Sequence, residues 1–238
     1  MSEVLLQNKS ASMRVDLFGA YINTLNLAGK TVFFPKTELD INGNRKLRGG
    51  MHVCLPQFGP DINNKLAQHG FGRTSEWQIY HQNSNSLSLI LRSQTPGYEH
   101  VEWRLDYILP NEQEALATLT VHNHGDTPIR ISPGFHPYFS AEHSEFDFNG
   151  QQFNAEEIAH TEFVTAPQES KVGFGDLKIS IETQNLPVYA LWSDRNGSYT
   201  CAEPTAEGYA FMQPAQDIQF VTANSKKQFS VKFGLQAA

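Results

Sequence analysis

The feature that most constrains this chain is a side-chain period of two. In Leu87-Ser-Leu-Ile-Leu, Trp103-Arg-Leu-Asp-Tyr-Ile-Leu, Ala115-Leu-Ala-Thr-Leu-Thr-Val and Phe229-Ser-Val-Lys-Phe-Gly-Leu, every second residue is apolar. A strand points successive side chains to opposite faces, so each stretch would bury one face and wet the other. Turn formers stand between such stretches, at Asn111-Glu, His124-Gly-Asp-Thr-Pro128 and Arg195-Asn-Gly197. Helical spacing scarcely recurs, and helical turns are expected only near Gln57–Leu66 and Asn154–His160. No fixed repeat, low-complexity linker or shift of composition divides the chain. The expected fold is all-β, an antiparallel β-sandwich formed as a single domain over residues 1–238.

Length agrees with that. The chain has 238 residues, a common size for one all-β unit, and folding at that size buries about 70–75% of the unfolded surface. Charged residues make up 18% and hydrophobic ones 39%, a globular rather than disordered or membrane balance. The 18 Lys and Arg against 25 Asp and Glu give a formal charge of −7, which argues against non-specific nucleic-acid binding. No apolar run reaches the ~18 residues that cross a bilayer. The segment from Met1 to Lys9 lacks the basic-then-apolar pattern of a secretory leader. Cys54 and Cys201 are too few for a disulfide framework and suit a reduced, cytoplasmic setting. The expected partner is a small molecule, with no nucleic acid, membrane or obligate protein partner.

Three segments concentrate groups capable of chemistry. The densest runs through Arg45-Lys-Leu-Arg48-Gly-Gly, His52, Gln57 and Gln68-His69-Gly70-Phe71-Gly72-Arg73. Arg48 and Arg73 together offer planar forks of donors matched to a carboxylate or phosphate, unless ordinary ion pairs occupy them. In Pro133-Gly-Phe-His136-Pro-Tyr-Phe139 a histidine sits among aromatics and prolines, as a proton donor near neutral pH or as a core histidine. In Tyr199-Thr-Cys201-Ala-Glu203-Pro204 a glutamate lies among small and apolar residues. A desolvated carboxyl there would be raised toward the range of a base, whereas an edge glutamate in water would not. Most of the 16 Phe, 8 Tyr and 3 Trp are expected in the core, and a few can stack on a sugar ring. His122-Asn-His124 could supply two ligands to a metal but stands against a turn. The glycine loops that bind nucleotide cofactors and the serine nucleophile elbow are absent from the sequence.

Taken in order, these segments resemble the aldose 1-epimerase (galactose mutarotase-like) superfamily, and most closely its hexose-6-phosphate mutarotase branch. The resemblance begins near Gly19-Ala-Tyr-Ile-Asn-Thr-Leu and runs through Arg48-Gly-Gly-Met-His-Val-Cys-Leu-Pro-Gln-Phe-Gly-Pro and Gln68-His-Gly-Phe-Gly-Arg73 with Trp77. It continues in Val121-His-Asn-His-Gly-Asp-Thr-Pro, Phe135-His-Pro-Tyr-Phe and Cys201-Ala-Glu-Pro. It implies a supersandwich of antiparallel strands with a sugar on one concave face. By position in the motif His136 would be the general acid and Glu203 the general base. His69 would assist at the sugar, while Gln68, Arg48 and Arg73 would hold hydroxyls or a phosphate. Family members also supply an acidic residue between the His and Glu elements, for which Glu162 and Asp194 are both candidates. The implied reaction opens and recloses the sugar ring by proton transfer alone, with no cofactor and no metal. The alternative is a carbohydrate-binding sandwich that keeps the pocket but does no chemistry. A metal-dependent enzyme built on His122 and His124 is a third reading.

Overall fold

The computed structural model describes residues 3–63, 65–141, 145–154, 156–213 and 219–236. Two nine-stranded antiparallel sheets dominate it. The first runs, in spatial order, through Glu3–Asn8, Ala11–Asp16, Tyr21–Leu27, Met51–Cys54, Gly134–Ser140, Tyr199–Thr205, Val188–Trp192 and Glu162–Thr165, with Lys30–Thr31 added beside Tyr21–Leu27. The second runs through Gln151–Asn154, Glu145–Phe148, Glu169–Phe174, Leu177–Gln184, Ser225–Leu235, Glu114–Asn123, Val101–Ile108, Ser86–Arg92 and Gln78–Gln82. Two small ribbons stand apart: Thr37–Ile41 with Asn44–Arg48, and Ile129–Arg130 with Phe220–Val221. The all-β antiparallel sandwich expected from the sequence is the fold observed.

The four alternating stretches all lie in the second sheet. Val101–Ile108 alternates buried and half-buried along its whole length, as does Glu114–Asn123 beside it. Trp103, Leu105 and Tyr107 thereby join Ala117, Leu119 and Val121 in one apolar cluster that draws on both sheets. The sheets interlock through aromatic edges. Phe33 and Phe139 of the first each pack T-shaped against Phe233 of the second, at 5.3 and 5.8 Å between centroids. Such pairs contribute about 0.5–1.5 kcal/mol beyond the area they bury. The Tyr107 hydroxyl donates to the Ala20 carbonyl at 2.7 Å, satisfying a polar group inside this layer.

The helical expectations fare less well. Described residues between Gln57 and Leu66 form turns and bends, and the second site holds only a 3₁₀ turn at Glu157–Ala159 (residues 64 and 155 lie outside the described set). Pro56 and Gly59-Pro60 deny the first segment the N–H groups and backbone preference that a helix needs. Gln57 instead uses its side-chain amide to donate to the Ala67 carbonyl at 2.8 Å, closing the loop on itself. Among the described residues, no helix is long and apolar enough to cross a membrane.

Candidate active site

Three adjacent strands at the middle of the first sheet build the site. In Met51–Cys54, Met51 and Val53 enter the core, so His52 and Cys54 project from the opposite face. In Gly134–Ser140, Phe135 and Phe139 enter the core, leaving His136 and Tyr138 on that same outer face. Tyr199–Thr205 buries Ala202 in the core and turns Cys201 and Glu203 outward. Register then aligns them. His136 pairs with His52 on one side. On the other, pairing at Gly134↔Thr205 resumes at Tyr138↔Cys201, which sets His136 opposite Glu203. Pro137 and Pro204 fall within the intervening stretch and offer no N–H to it.

The row forms one wall of a cavity of about 580 Å³, a volume within the usual range for small-molecule sites. His136 is 5% exposed and Glu203 2%. His136 Nε2 lies 3.2 Å from Glu203 Oε2, within ion-pair range, while Glu203 Oε2 and His136 Nδ1 make no hydrogen bond among the described residues. Burial pushes the Glu203 carboxyl well above its ordinary value. Burial, and then the neighbouring His52, His69 and the arginines, push His136 well below its own. Both shifts disfavour the charged forms of the two side chains. The His136 ring also stacks on Tyr138, at 4.6 Å and 10°.

The lining continues beside this row in the loop before the 3₁₀ turn Gly72–Thr74, where the His69 ring packs edge-on against His136 at 5.2 Å between centroids. His69 has φ 67°, an uncommon left-handed conformation for a residue with a side chain. Gly70 follows at φ +65°, and a Cβ there would stand 1.9 Å from the Leu55 carbonyl oxygen, so only glycine fits. The two left-handed residues aim the His69 imidazole at the cavity and bring its Nδ1 3.4 Å from Cys54 Sγ. Burial, aided by Arg73, lowers His69 to about 3. Gln68 is exposed beside it, and its carbonyl accepts from Arg73 Nη2 at 3.3 Å.

Arg48, Gln68, His69, Arg73, His136 and Glu203 therefore line one cavity. The two arginines differ. Arg48 is paired with Asp194, while Arg73 has no carboxylate partner among the described residues. Four cations line the cavity, namely Lys36, Lys46, Arg48 and Arg73, against one carboxylate, Glu203. Lys36 pairs with Asp16 at 2.7 Å, which leaves Arg73 and the exposed Lys46 as the cations without a described carboxylate partner. Direct contact between His136 and Glu203 also differs from an arrangement in which they would face each other across a sugar ring. Glu162 lies exposed on the edge strand Glu162–Thr165 and does not line the cavity.

Sequence reasoning left His52, Tyr138 and Trp192 without roles, yet all three line the cavity. The signal for His52 was its place two residues before Cys54 on a strand whose alternate residues are apolar. His122 and His124 lie 3.7 Å apart between centroids, tilted by 39°, at the end of Glu114–Asn123 in the other sheet, where no third ligating group joins them among the described residues. His136, Cys201 and Glu203 do lie with ligating atoms within 4.8 Å of one another. Arg73, which has no carboxylate partner among the described residues, bears on His136 and would repel a divalent cation there.

Proteins from Escherichia coli K12 and Salmonella typhimurium, each described as "Putative glucose-6-phosphate 1-epimerase", are 25% and 26% identical over 129 and 96 residues. Those stretches cover 52% and 40% of this chain and 43% and 33% of the relatives, so the chain matches less than half the length of either. The crystal structure of the Slr1438 protein from Synechocystis sp. PCC 6803 superposes with a TM-score of 0.81 at 20% identity, covering 100% of this chain and 96% of that one. A galactose mutarotase-like protein from Lactobacillus casei gives 0.79 at 13% identity, covering 99% and 100%. These structural likenesses establish the fold. The profile of the aldose 1-epimerase family matches residues 3–208, so the stretch that carries the cavity and its His136–Glu203 pair places this chain in the aldose 1-epimerase family.

Proposed function

We infer that this chain interconverts the α and β anomers of an aldohexose, working as one unit and without a cofactor. The observation that carries this reading is the contact of His136 Nε2 with Glu203 Oε2, at 3.2 Å, on the wall of a sugar-sized cavity. In the reactive form one proton is carried by the pair and sits on His136, which leaves Glu203 a carboxylate able to take the proton from the C1 hydroxyl. His136 gives its proton to the ring oxygen, the bond from C1 to that oxygen breaks, and C1 becomes an aldehyde. Rotation about C1–C2 presents the other carbonyl face. The same two groups then close the ring in reverse, and the proton count of the pair is unchanged over the cycle. Each transfer partner contributes about 10²–10⁴-fold. His69, held neutral by burial, and Gln68 bind sugar hydroxyls, as does Arg48.

The preferred substrate is a hexose 6-phosphate. Arg73 and Lys46 supply positive charge at the cavity in a chain of net −7, which draws a dianion in and holds it. The reduced thiols Cys54 and Cys201, both free and buried, suit the cytoplasm. The test is polarimetry of freshly dissolved α-glucose and α-glucose 6-phosphate with and without the protein. Faster decay of optical rotation with protein, steeper for the phosphate ester, is expected. An unchanged decay for both sugars refutes the activity, and equal acceleration refutes the phosphate preference.

A further inference from the structure

Asp194 stands in the loop between Val188–Trp192 and Tyr199–Thr205 and does not line the cavity, whereas Arg48, 146 positions away in sequence, does. Arg48 Nε donates to Asp194 Oδ2 at 2.9 Å, and Nη2 lies 2.8 Å from the same oxygen. Nη1 donates to the Leu47 carbonyl at 3.0 Å. The guanidinium carbon also sits 5.5 Å from the centroid of the Trp192 ring, on another cavity residue. Asp194 is anchored in turn, because its Oδ1 accepts from the Tyr199 hydroxyl and from the Asn196 N–H at 3.1 Å. The chain of contacts runs from a buried tyrosine through a carboxylate to the guanidinium at the cavity wall.

A guanidinium has five N–H donors in a fixed plane. Three of those on Arg48 point to Asp194 and Leu47, leaving one on each terminal nitrogen. Two parallel donors match two neighbouring oxygens, such as a vicinal diol. With a carboxylate 2.8 Å away, the charge that Arg48 presents to the cavity is partly offset. An arginine in this state is a poor attractor of a dianion but a well-aimed donor to neutral oxygens. Arg73, with no carboxylate partner described, is the opposite case.

We propose that Asp194 is a positioning residue, which fixes the Arg48 fork toward the sugar and, by offsetting part of its charge, assigns Arg48 to hydroxyl groups rather than to phosphate. This rests on the reading of the cavity as the sugar site. It goes beyond that reading in splitting the two arginines by function and in giving Asp194 a part played wholly through Arg48.

The experiment compares Arg48→Ala, Asp194→Asn, Asp194→Glu and the double variant Arg48→Ala/Asp194→Asn in mutarotation of glucose and of glucose 6-phosphate. Loss of an aimed charge-assisted donor should raise KM about tenfold or more, with kcat falling less than KM rises. The rise should be the same for both sugars in Arg48→Ala, and smaller for the phosphate ester in Asp194→Asn, which frees the Arg48 charge. Asp194→Glu should recover part of it, and the double variant should be no worse than Arg48→Ala alone. Additive losses in the double variant overturn the positioning role. A rise confined to the phosphate ester overturns the assignment to hydroxyls. Wild-type kinetics in Arg48→Ala would overturn the sugar-site reading as well, which separates the two failures. Should Asp194→Asn not fold, Tyr199→Phe removes only the anchoring hydroxyl and must raise KM in the same direction for both sugars; an unchanged KM overturns the proposal.

Discussion

Replacing Glu203 by glutamine should produce effects of opposite sign on catalysis and on stability. The substitution keeps the shape and removes the charge. Loss of the proposed base should lower kcat by about 10²–10⁴-fold, or about 2.7–5.5 kcal/mol of barrier. The same carboxylate is a burden to the fold, being 2% exposed with Oε2 unpartnered. Glutamine leaves polar atoms in the same place, so what it relieves is the burden of the charged form, on the scale of about 1–3 kcal/mol, the cost of an unsatisfied buried group. For a chain of this size each kcal/mol moves Tm by about 2–4 °C, so a gain of about 2–12 °C is expected. Its pH dependence follows from the direction of the shift. Burial raises the folded-state value, so the penalty is absent below the ordinary carboxyl value and grows as pH climbs toward the folded value. Scanning calorimetry at about pH 4 and about pH 8, either side of the ordinary glutamate value, should show the gain only at the higher pH. Polarimetry on the same samples reads the rate. A glutamine variant with wild-type turnover would remove Glu203 from the mechanism. A gain of equal size at both pH values would mean that buried charge is not its cause.

The remaining expectations concern the same cavity. His136→Asn should cost at least ~10²-fold in kcat, and the double variant with Glu203→Gln should be little worse than either single one, since both groups serve one proton exchange; additive losses in stopped-flow polarimetry would refute a shared exchange. Because burial and nearby cations hold His136 down, the acid limb of the kcat profile should fall below the ordinary histidine value of about 6.5. A limb at or above that value would count against the assignment. Gly70→Ala forces a Cβ to within 1.9 Å of the Leu55 oxygen at φ +65°. The left-handed penalty alone is about 1–2 kcal/mol, so a lower Tm is expected together with weakened sugar binding through the displaced His69; an unchanged Tm would show that the loop adapts freely.

The second sheet was readable from sequence because one of its faces meets water. Trp103, Ala115 and Phe229 each open a stretch whose polar alternates are half-buried, whereas Ser88 in the Leu87 stretch is itself buried and donates to Asp106. The central strands of the first sheet were not readable in that way. Gly134–Phe139 and Tyr199–Thr205 are buried on both faces, one by the core and the other by the cavity, so the polar alternation disappears. Their site residues were found through motif resemblance instead. The pairing of Arg48 with Asp194 joins residues 146 positions apart. Nothing local in either segment encodes it, and it decides whether Arg48 carries free charge. Likewise the expected turn at Gln57–Leu66 had a suitable composition, but its prolines and glycine favoured an irregular loop.

The prolines beside the acid and the base also bear on how the chain finds its register. A slip of one residue between Gly134–Ser140 and Tyr199–Thr205 would turn both side chains into the core and be rejected by packing. A slip of two keeps every face correct and is the error that burial cannot detect, although it would part His136 from Glu203 by about 6.8 Å. Pro137 and Pro204 do not detect that slip, because a shift of two leaves each of them facing the same neighbour strand without an N–H. The gap they leave between Gly134↔Thr205 and Tyr138↔Cys201 makes this the weakly bonded seam of the sheet. Its register is therefore carried by the flanking strands, through the pairing of His136 with His52 and of Glu203 with Ala190.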